Sequence, residues 1–291
     1  MEMALASAER RVRGQSSALQ RPENIASEER ALANGEPGSD SAELRLDRVA
    51  KSFGNFPAVR PTSLTITASE VTGLIGPNGA GKTTLFGLMD GVYRSDGGAV
   101  WLCGKNITRS GVRRRAIAGI SRTFQTARVF PRLTVAENIL LATRQASKGL
   151  HWWEPKNHAL RRNSRALRTL ASQVGLEKSL SLSASALTQP ERKRLDLAMA
   201  IGCEPTVLLL DEPTAGVSRE DASVIQSLLV GLRQQRPDVA IIISSHDIDL
   251  VLELATRLIV LVNGSVLIDG APESVVADKE IQSVYLGTAN S

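Results

Sequence analysis

The sequence predicts an α/β fold with a mostly parallel β-sheet. Short, almost continuous apolar runs such as 207–210 alternate with helical patterns such as 220–235. Strands that are apolar along their whole length are typical of parallel sheets covered by helices on both faces. A glycine-rich stretch, 76–84, lies between the apolar run 71–75 and a run of helix formers that begins at Leu85. We therefore expect the ligand-binding loops at the carboxyl ends of these strands.

The remaining elements are predicted from shorter patterns. Residues 1–42 contain no aromatic residue and are rich in Ala, Ser, Glu and Arg. We expect a disordered N-terminal extension there, because such a segment buries too little apolar surface to offset its ordering entropy. The pattern between 135 and 202 is helical and predicts a helical insertion at about 133–202. Further strands are predicted at 44–49, 64–66, 99–102, 239–244, 258–262 and 265–268, and a further helix at 248–256.

Charge does not favour a nucleic-acid partner. The net charge is +5 and the pI is about 9.5, but the basic residues form the short clusters 113–115, 161–165 and 192–194 with few aromatic residues between them. Base stacking needs aromatic side chains. Solvated helix faces or contact with anionic lipid headgroups are therefore the preferred interpretation, and no nucleic acid is expected.

Cysteine and apolar patterns predict the compartment. The two cysteines, Cys103 and Cys203, have no spacing typical of a disulfide framework or a zinc site, so a reducing compartment is expected. No run approaches the roughly 18 apolar residues needed to span a bilayer, and the first residues lack the apolar core of a secretion signal. We expect the protein in the cytoplasm unless a membrane partner recruits it.

The glycine-rich stretch matches the phosphate-binding pattern G-x-x-x-x-G-K-S/T. Its glycines let backbone N–H groups curl around phosphates where side chains would block them. Lys82 is placed to reach the β- and γ-phosphates, and Thr83 to offer its hydroxyl to Mg²⁺. The helix that follows directs the positive end of its dipole at the same anion. A nucleoside triphosphate is predicted to contact Gly76, Pro77, Asn78, Gly79, Ala80, Gly81, Lys82, Thr83 and Thr84.

Four polar residues at the same sheet edge predict ATP hydrolysis. Asp211 ends the apolar run 207–210 and is placed to hold Mg²⁺ through water. Its neighbour Glu212 is the candidate general base for the attacking water. His246 follows the next apolar strand and can orient that water or bond the γ-phosphate. The amide of Gln125, in the stretch before the helical insertion, can touch both the metal and the water.

In chain order, GPNGAGKTT, RTFQ, LLLDEPTAG and SSHD resemble the motifs of the ATP-binding cassette (ABC) family, over about residues 42–287. The resemblance implies a P-loop NTPase core, an N-terminal antiparallel β-subdomain and an inserted α-helical subdomain. It also implies a domain at 43–287 with a tail at 288–291. Family members dimerise head to tail, with each ATP between the phosphate loop of one subunit and the signature motif of the other. Phe53 falls where the family places an aromatic residue that stacks on adenine.

Two segments depart from the family pattern. Where the family has the signature LSGGQ, this chain has LTQPE, in which Leu187 and Thr188 keep the first positions. Pro190 lacks a backbone N–H that the family directs at the partner's γ-phosphate, a loss of about 1.5 to 3 kcal/mol. Ser218 replaces the usual aspartate of the D-loop, 215–218. We therefore expect the site that this chain completes for its partner to be the weaker one, which suits a heterodimer with a different ATPase.

Flanking residues narrow the resemblance to one class of importer. The segments 121–125, 130–138 and 284–287 are similar to the ATPases of branched-chain amino-acid and amide (urea-type) uptake systems. This implies two transmembrane permease subunits, a second ABC ATPase, and indirectly an extracytoplasmic solute-binding protein. It places the chain at the cytoplasmic face of the inner (plasma) membrane as a peripheral subunit. The cassette does not touch the solute, so the sequence does not specify it.

Three alternatives stay open. A lipopolysaccharide-export ATPase shares the Tyr-Leu-Gly ending but normally has an LSGGE-like signature and a tyrosine in place of Phe124. A soluble cassette ATPase acting on DNA or ribosomes would carry two cassettes or a long coiled coil, and the sequence has neither. A nucleotide-binding regulator without hydrolysis is disfavoured by Glu212 and His246. The pair Trp152 and Trp153 has no assigned role.

Overall fold

A computed structural model describes residues 42–68, 70–143, 156–245, 248–278 and 281. Several predictions lie outside these residues: the N-terminal extension except Ala42, the tail 288–291, the Trp152–Trp153 pair, the ending 284–287 and His246.

The strands and helices alternate as the sequence predicts in its second half. In chain order the strands are β1 (Glu43–Phe53), β2 (Phe56–Thr67), β3 (Val71–Ile75), β4 (Gly97–Leu102), β5 (Lys105–Asn106), β6 (Ile120–Thr123), β7 (Val207–Asp211), β8 (Ala240–Ser244), β9 (Arg257–Val262) and β10 (Ser265–Gly270). The helices are α1 (Lys82–Asp90), α2 (Val112–Ala118), α3 (Val135–Ala142), α4 (Lys156–Arg162), α5 (Ser164–Gln173), α6 (Gln189–Gly202), α7 (Arg219–Gln235), α8 (Ile248–Leu254) and α9 (Pro272–Ala277).

The central sheet has the strand order β10-β9-β3-β8-β7-β6. The pairings of β6 with β7, β7 with β8, β8 with β3 and β3 with β9 are parallel, and only β10 of this sheet pairs antiparallel. Every residue of β3, β7 and β8 is buried. This burial explains why these strands are nearly continuous apolar runs in the sequence. The mostly parallel α/β prediction is confirmed.

A second sheet, in the order β2-β1-β4-β5, is antiparallel. It shares one hydrophobic core with α1 and the central sheet: Leu44 and Ile66 pack in the same cluster as Phe86 of α1 and Leu209 of β7. The N-terminal antiparallel part of the predicted fold is confirmed. Because α1 lies in this core, the phosphate loop that precedes it is anchored between the two sheets.

The chain between β6 and β7 forms helices α3 to α6 within its described part. These helices enclose a separate cluster that includes Val135, Ile139, Leu167 and Leu195. The helical insertion is therefore present between two strands of the central sheet. The limits 133–202 and 43–287 for the insertion and the domain stay predictions.

Local differences from the predicted elements have physical reasons. Helix α1 begins at Lys82, three residues before the predicted start, because its first turn belongs to the phosphate loop. The sequence patterns predict neither β6 nor α2. Strand β6 has only four residues, and three of them are polar. The prediction that 113–115 forms a solvated face is wrong for Arg115, which is 2% exposed. Its guanidinium donates to the carbonyl oxygens of Leu88 and Met89 at the end of α1, where a cation complements the helix dipole.

Helices in the described ranges are all too short or too polar to cross a membrane.

Candidate active site

The phosphate loop joins β3 to α1, and its backbone requires glycine. Gly79 and Gly81 have φ angles of 79° and 104°, a region that side chains rarely adopt. At Gly81 an added Cβ atom would also lie 2.4 Å from the carbonyl oxygen of Ala58. The N–H of Leu85 donates to the Gly81 carbonyl at 2.8 Å, so helical bonding starts within the loop. The first N–H groups of α1 are therefore available to an anion.

Lys82 is buried inside this loop. Its ammonium donates to the carbonyl oxygens of Gly76 at 2.6 Å and Pro77 at 3.1 Å, and the residue is 7% exposed. Burial lowers the pKa of Lys82, while the negative charges of Glu212 and Asp211 oppose that shift. A cation in a loop of N–H donors is a site for phosphates, so these residues fit the predicted nucleoside triphosphate.

The Asp211 carboxylate is held by two donors. The Ser244 hydroxyl donates to Oδ1 at 2.7 Å, and the Arg122 guanidinium donates to Oδ2 at 2.6 Å. Asp211 and Ser244 are paired residues of the parallel strands β7 and β8, which explains the first contact. Both oxygens of this buried carboxylate are therefore fixed in direction.

Oxygen donors in the site fit Mg²⁺. The Thr83 hydroxyl, the Gln125 amide and the Asp211 carboxylate are ligand types that Mg²⁺ accepts. Over residues 42–281, where described, no group of three or more His, Cys, Asp or Glu side chains could hold a metal. Mg²⁺ is usually bound by one or two protein ligands together with substrate phosphates, and the three oxygen donors named above suit that mode of binding.

Glu212 adopts a backbone conformation that is unusual for its type. Its φ angle is 49°, in the left-handed region, where non-glycine residues cluster at functional sites. Its N–H donates to the carbonyl of Ser244 at 2.9 Å, and its carboxylate accepts from the Gln125 amide at 2.7 Å. The ammonium of Lys193 donates to the Glu212 carbonyl at 3.0 Å. Glu212 therefore lies at the meeting point of β7, β8 and the segment after β6.

The other predicted nucleotide contacts lie on separate elements. Phe53 ends β1 and is 45% exposed, with its ring edge-on to Tyr93 at 5.2 Å. Leu187 is buried in the helical cluster. Thr188 precedes α6 and forms a capping box with Glu191, in which each residue bonds the backbone N–H of the other. Ser218 caps α7 in a similar position, accepting from the N–H of Asp221 at 3.1 Å.

Two buried residues of α6 support the site and were missed in the sequence. Lys193 was assigned to a basic, solvated cluster, yet it is 7% exposed. Asp196 accepts from the N–H of Phe124 at 3.2 Å, next to Gln125. Burial raises the pKa of Asp196 to about 6, against the lowering effect of the Phe124 and Arg128 N–H groups. Lys193, Asp196 and the buried Ala200 are three and four residues apart, which places them on one face of the helix. That spacing is the signal in the sequence that indicates their burial.

Comparisons with known proteins agree with this geometry. A family model described as "ABC transporter" matches residues 59–215. The match includes the phosphate loop, Gln125, Asp211 and Glu212, and His246 lies beyond it.

Several curated proteins are similar over most of the chain. The high-affinity branched-chain amino acid transport ATP-binding protein LivG of Salmonella typhimurium is 34% identical over 251 residues, covering 84% of this chain and 98% of that protein. BraF of Pseudomonas aeruginosa, with the same description, is 32% identical over 251 residues, with the same coverage of 84% and 98%. The lipopolysaccharide export system ATP-binding protein LptB of Haemophilus influenzae is 33% identical over 244 residues, covering 84% and 97%.

Solved structures show the same fold. The ADP conformation of MJ1267, an ATP-binding cassette of an ABC transporter, has a TM-score of 0.71 at 27% identity and covers 84% of this chain and 99% of that one. CbiO1 of Clostridium perfringens, part of the transporter complex CbiONQ, has a TM-score of 0.68 at 26% identity, covering 86% and 98%. The resemblance drawn from the sequence motifs is confirmed. The chain belongs to the ABC transporter family and is one of its ATP-binding cassette ATPases.

Proposed function

We propose that this chain hydrolyses ATP to power an importer of branched-chain amino acids or of related amides such as urea. The relatives LivG and BraF, which match over 98% of their length, support the transport class. The observation that carries the hydrolytic part is the hydrogen bond between Gln125 and Glu212, close to the buried ammonium of Lys82. It joins the candidate base to the residue expected to position water and metal.

In the proposed reaction, a water oxygen attacks the γ-phosphorus while the bond to the β–γ bridging oxygen breaks, leaving ADP and phosphate. The Glu212 carboxylate accepts the proton that the water loses. Lys82 and the N–H groups of the phosphate loop stabilise the charge on the phosphate oxygens. Gln125 orients Glu212 and the water, and His246 is expected to assist, as the sequence motif predicts.

Magnesium would be held by Thr83 directly, by Asp211 through water, and by Gln125. When bound, it would supply positive charge that offsets the negative charge of the nucleotide phosphates. Asp211 can serve this role because Ser244 and Arg122 fix its carboxylate without using all of its lone pairs.

A head-to-tail dimer would complete each site with α6 of the other subunit. In this chain the Thr188 hydroxyl also donates to Glu191 at 2.9 Å, and Pro190 lies in the first turn of α6. This end of the helix therefore offers fewer donors to a partner's γ-phosphate than the family signature. That supports a heterodimer in which a second, different ABC ATPase supplies the better signature.

Two permease subunits would hold the chain at the cytoplasmic face of the inner membrane. Large apolar side chains are exposed in the chain before and after β6, the strand that leads to Gln125. Val112 and Ile117 on α2 are 49% and 65% exposed, and Phe130, which follows β6, is 52% exposed. We propose that these exposed apolar side chains contact the permeases. A solute-binding protein outside the membrane would act on the permeases and not on this chain.

A gentle-detergent pull-down of the tagged chain from its native membranes, with mass spectrometry, tests these partners. Two multi-span permeases and a second cassette ATPase are expected. The second candidate, lipopolysaccharide export, is favoured by the LptB relative and predicts a homodimer of this chain with export permeases. Recovery of ribosomal proteins without any membrane protein would contradict both.

A further inference from the structure

Arg122 of β6 links two buried carboxylates. Its guanidinium donates to Asp90 Oδ2 at 2.6 Å and to Asp211 Oδ2 at 2.6 Å. The three side chains are only 7%, 8% and 7% exposed, in the order Arg122, Asp90 and Asp211. Away from water such charge-assisted hydrogen bonds are strong and directional. Arg122 therefore connects the end of α1 to the carboxylate at the end of β7.

The same guanidinium lies close to two aromatic rings. Its carbon Cζ is 5.5 Å from the ring centre of Phe86 and 5.0 Å from that of Phe124. Phe86 is fully buried in α1, and Phe124 directly precedes Gln125. Arg122 thus touches the helix after the phosphate loop, the Asp211 carboxylate and the segment that carries Gln125.

Asp90 and Asp211 accept from different nitrogens of the Arg122 guanidinium. One oxygen of Asp90 accepts from Arg122, and the other accepts from the N–H of Val92 at 2.9 Å, just beyond the end of α1. Asp90 is itself buried. The helix end, the arginine and the Asp211 carboxylate therefore form one chain of hydrogen bonds.

Asp211 cannot rotate without breaking contacts on both of its oxygens. Arg122 bonds Oδ2, and the Ser244 hydroxyl bonds Oδ1 at 2.7 Å. Removing Ser244 would free one oxygen, whereas removing Arg122 would free the other and also leave two buried carboxylates without their shared cation.

We propose that Arg122 is a positioning residue, which holds the Asp211 carboxylate in the direction that a magnesium-bound nucleotide requires. Through Phe124 and Asp90, it also ties that direction to the Gln125 segment and to α1. The inference rests on the proposed function, since it assumes that the chain binds ATP together with Mg²⁺.

The test is equilibrium binding of a fluorescent ATP analogue to the full chain, with EDTA or with increasing Mg²⁺. The Mg²⁺ midpoint is the Mg²⁺ concentration that gives half of the Mg²⁺-dependent gain in binding of the analogue. Arg122→Met should raise this midpoint at least about tenfold, equivalent to about 1.4 kcal/mol. Its affinity for the analogue in EDTA should stay within about twofold, because Lys82 and the loop are untouched. Arg122→Lys, which keeps one positive charge, should recover part of the Mg²⁺ response.

A matched control is available near the opposite edge of the sheet, on the strand next to the edge strand β10. Arg257, at the start of β9, also bonds two carboxylates, Asp269 at 2.6 Å and Glu70 at 2.8 Å. Arg257→Met should lower the melting temperature without moving the Mg²⁺ midpoint. If Arg122→Met does not fold, Arg122→Lys and Asp90→Asn still test the inference, and each should raise the Mg²⁺ midpoint at least about twofold.

An unchanged Mg²⁺ midpoint in the Arg122 variants would overturn the inference, as would an equal loss of affinity in EDTA and in Mg²⁺. A failure of the unaltered chain to bind the analogue in Mg²⁺ would instead overturn the proposed function itself.

Discussion

The side-chain amide of Gln125 donates to the carboxylate of Glu212 at 2.7 Å, across 87 positions of sequence. The register of the parallel sheet explains the contact. Thr123 of β6 pairs with Leu210 of β7, and Gln125 and Glu212 each lie two positions beyond that pair. The segment that follows β6 is thereby joined to the candidate base.

Replacing Gln125 tests whether that contact serves hydrolysis. Gln125→Ala should lower the ATP turnover of the assembled transporter at least about tenfold, since Glu212 loses the group that orients it. Affinity for ATP should change much less. Gln173→Ala is the control, because its amide likewise bonds an exposed side chain, Gln235 at 2.8 Å. Equal turnover in the two variants would rule out the role given to Gln125.

Lys82 is predicted to determine ATP affinity. Lys82→Met should weaken binding at least about tenfold, because a charge-assisted hydrogen bond to phosphate contributes about 1.5 to 3 kcal/mol. Thermal unfolding with and without Mg²⁺ and ATP measures this, since a ligand that binds only the folded chain raises the melting temperature, and raises it less when its affinity falls. The variant should lose most of that rise, whereas the exposed Lys178→Met should keep it. Retention of the rise in Lys82→Met would contradict the prediction.

Asp196 should make stability depend on pH between about 4 and 7. Its folded pKa of about 6 lies above the ordinary 3.8, so the folded protein favours the protonated form. The stability that this group contributes is complete below pH 4 and is lost as the pH rises through 6, by up to about 3 kcal/mol.

Asp196→Asn removes this titration. The free energy of unfolding of the variant, relative to the unaltered chain, should therefore be higher at pH 7.5 than at pH 5. Denaturant unfolding at the two pH values measures the difference. A relative stability that is the same at both would show that Asp196 does not titrate in this range.

Pro190 offers a test of the weak signature. Pro190→Gly restores a backbone N–H near the start of α6, and it leaves the capping box of Thr188 and Glu191 in place. It should raise turnover of the assembled dimer severalfold and change nucleotide affinity of the isolated chain much less. Pro272→Gly, at the start of α9, controls for the effect of glycine in a first turn. Equal effects on turnover and on the nucleotide affinity of the isolated chain would refute the interpretation of LTQPE as a weak signature.

The sequence alone predicts those strands and loops whose pattern lies within a few consecutive residues. The strands β3, β7 and β8 are apolar throughout because both faces are covered, and the phosphate loop is a contiguous motif. The four-residue β6 has no such pattern, although it positions Gln125.

Residues whose roles depend on distant partners could not be predicted. In the sequence, nothing distinguishes Arg122 from an ordinary exposed arginine, because its partners Asp90 and Asp211 are 32 and 89 positions away. Arg115 and Lys193 were placed in solvated clusters for the same reason, since charged side chains are rarely buried without partners. Their partners are carbonyl groups, which leave no mark in the sequence.

Turnover of Glu212→Gln in the purified transporter shows whether Glu212 is the base for ATP hydrolysis. We expect a loss of about 10² to 10⁴-fold with ATP still bound. Glu253→Gln, which alters an exposed carboxylate that also accepts from a glutamine, Gln226, should keep normal turnover. Unchanged turnover in Glu212→Gln would show that Glu212 is not the base.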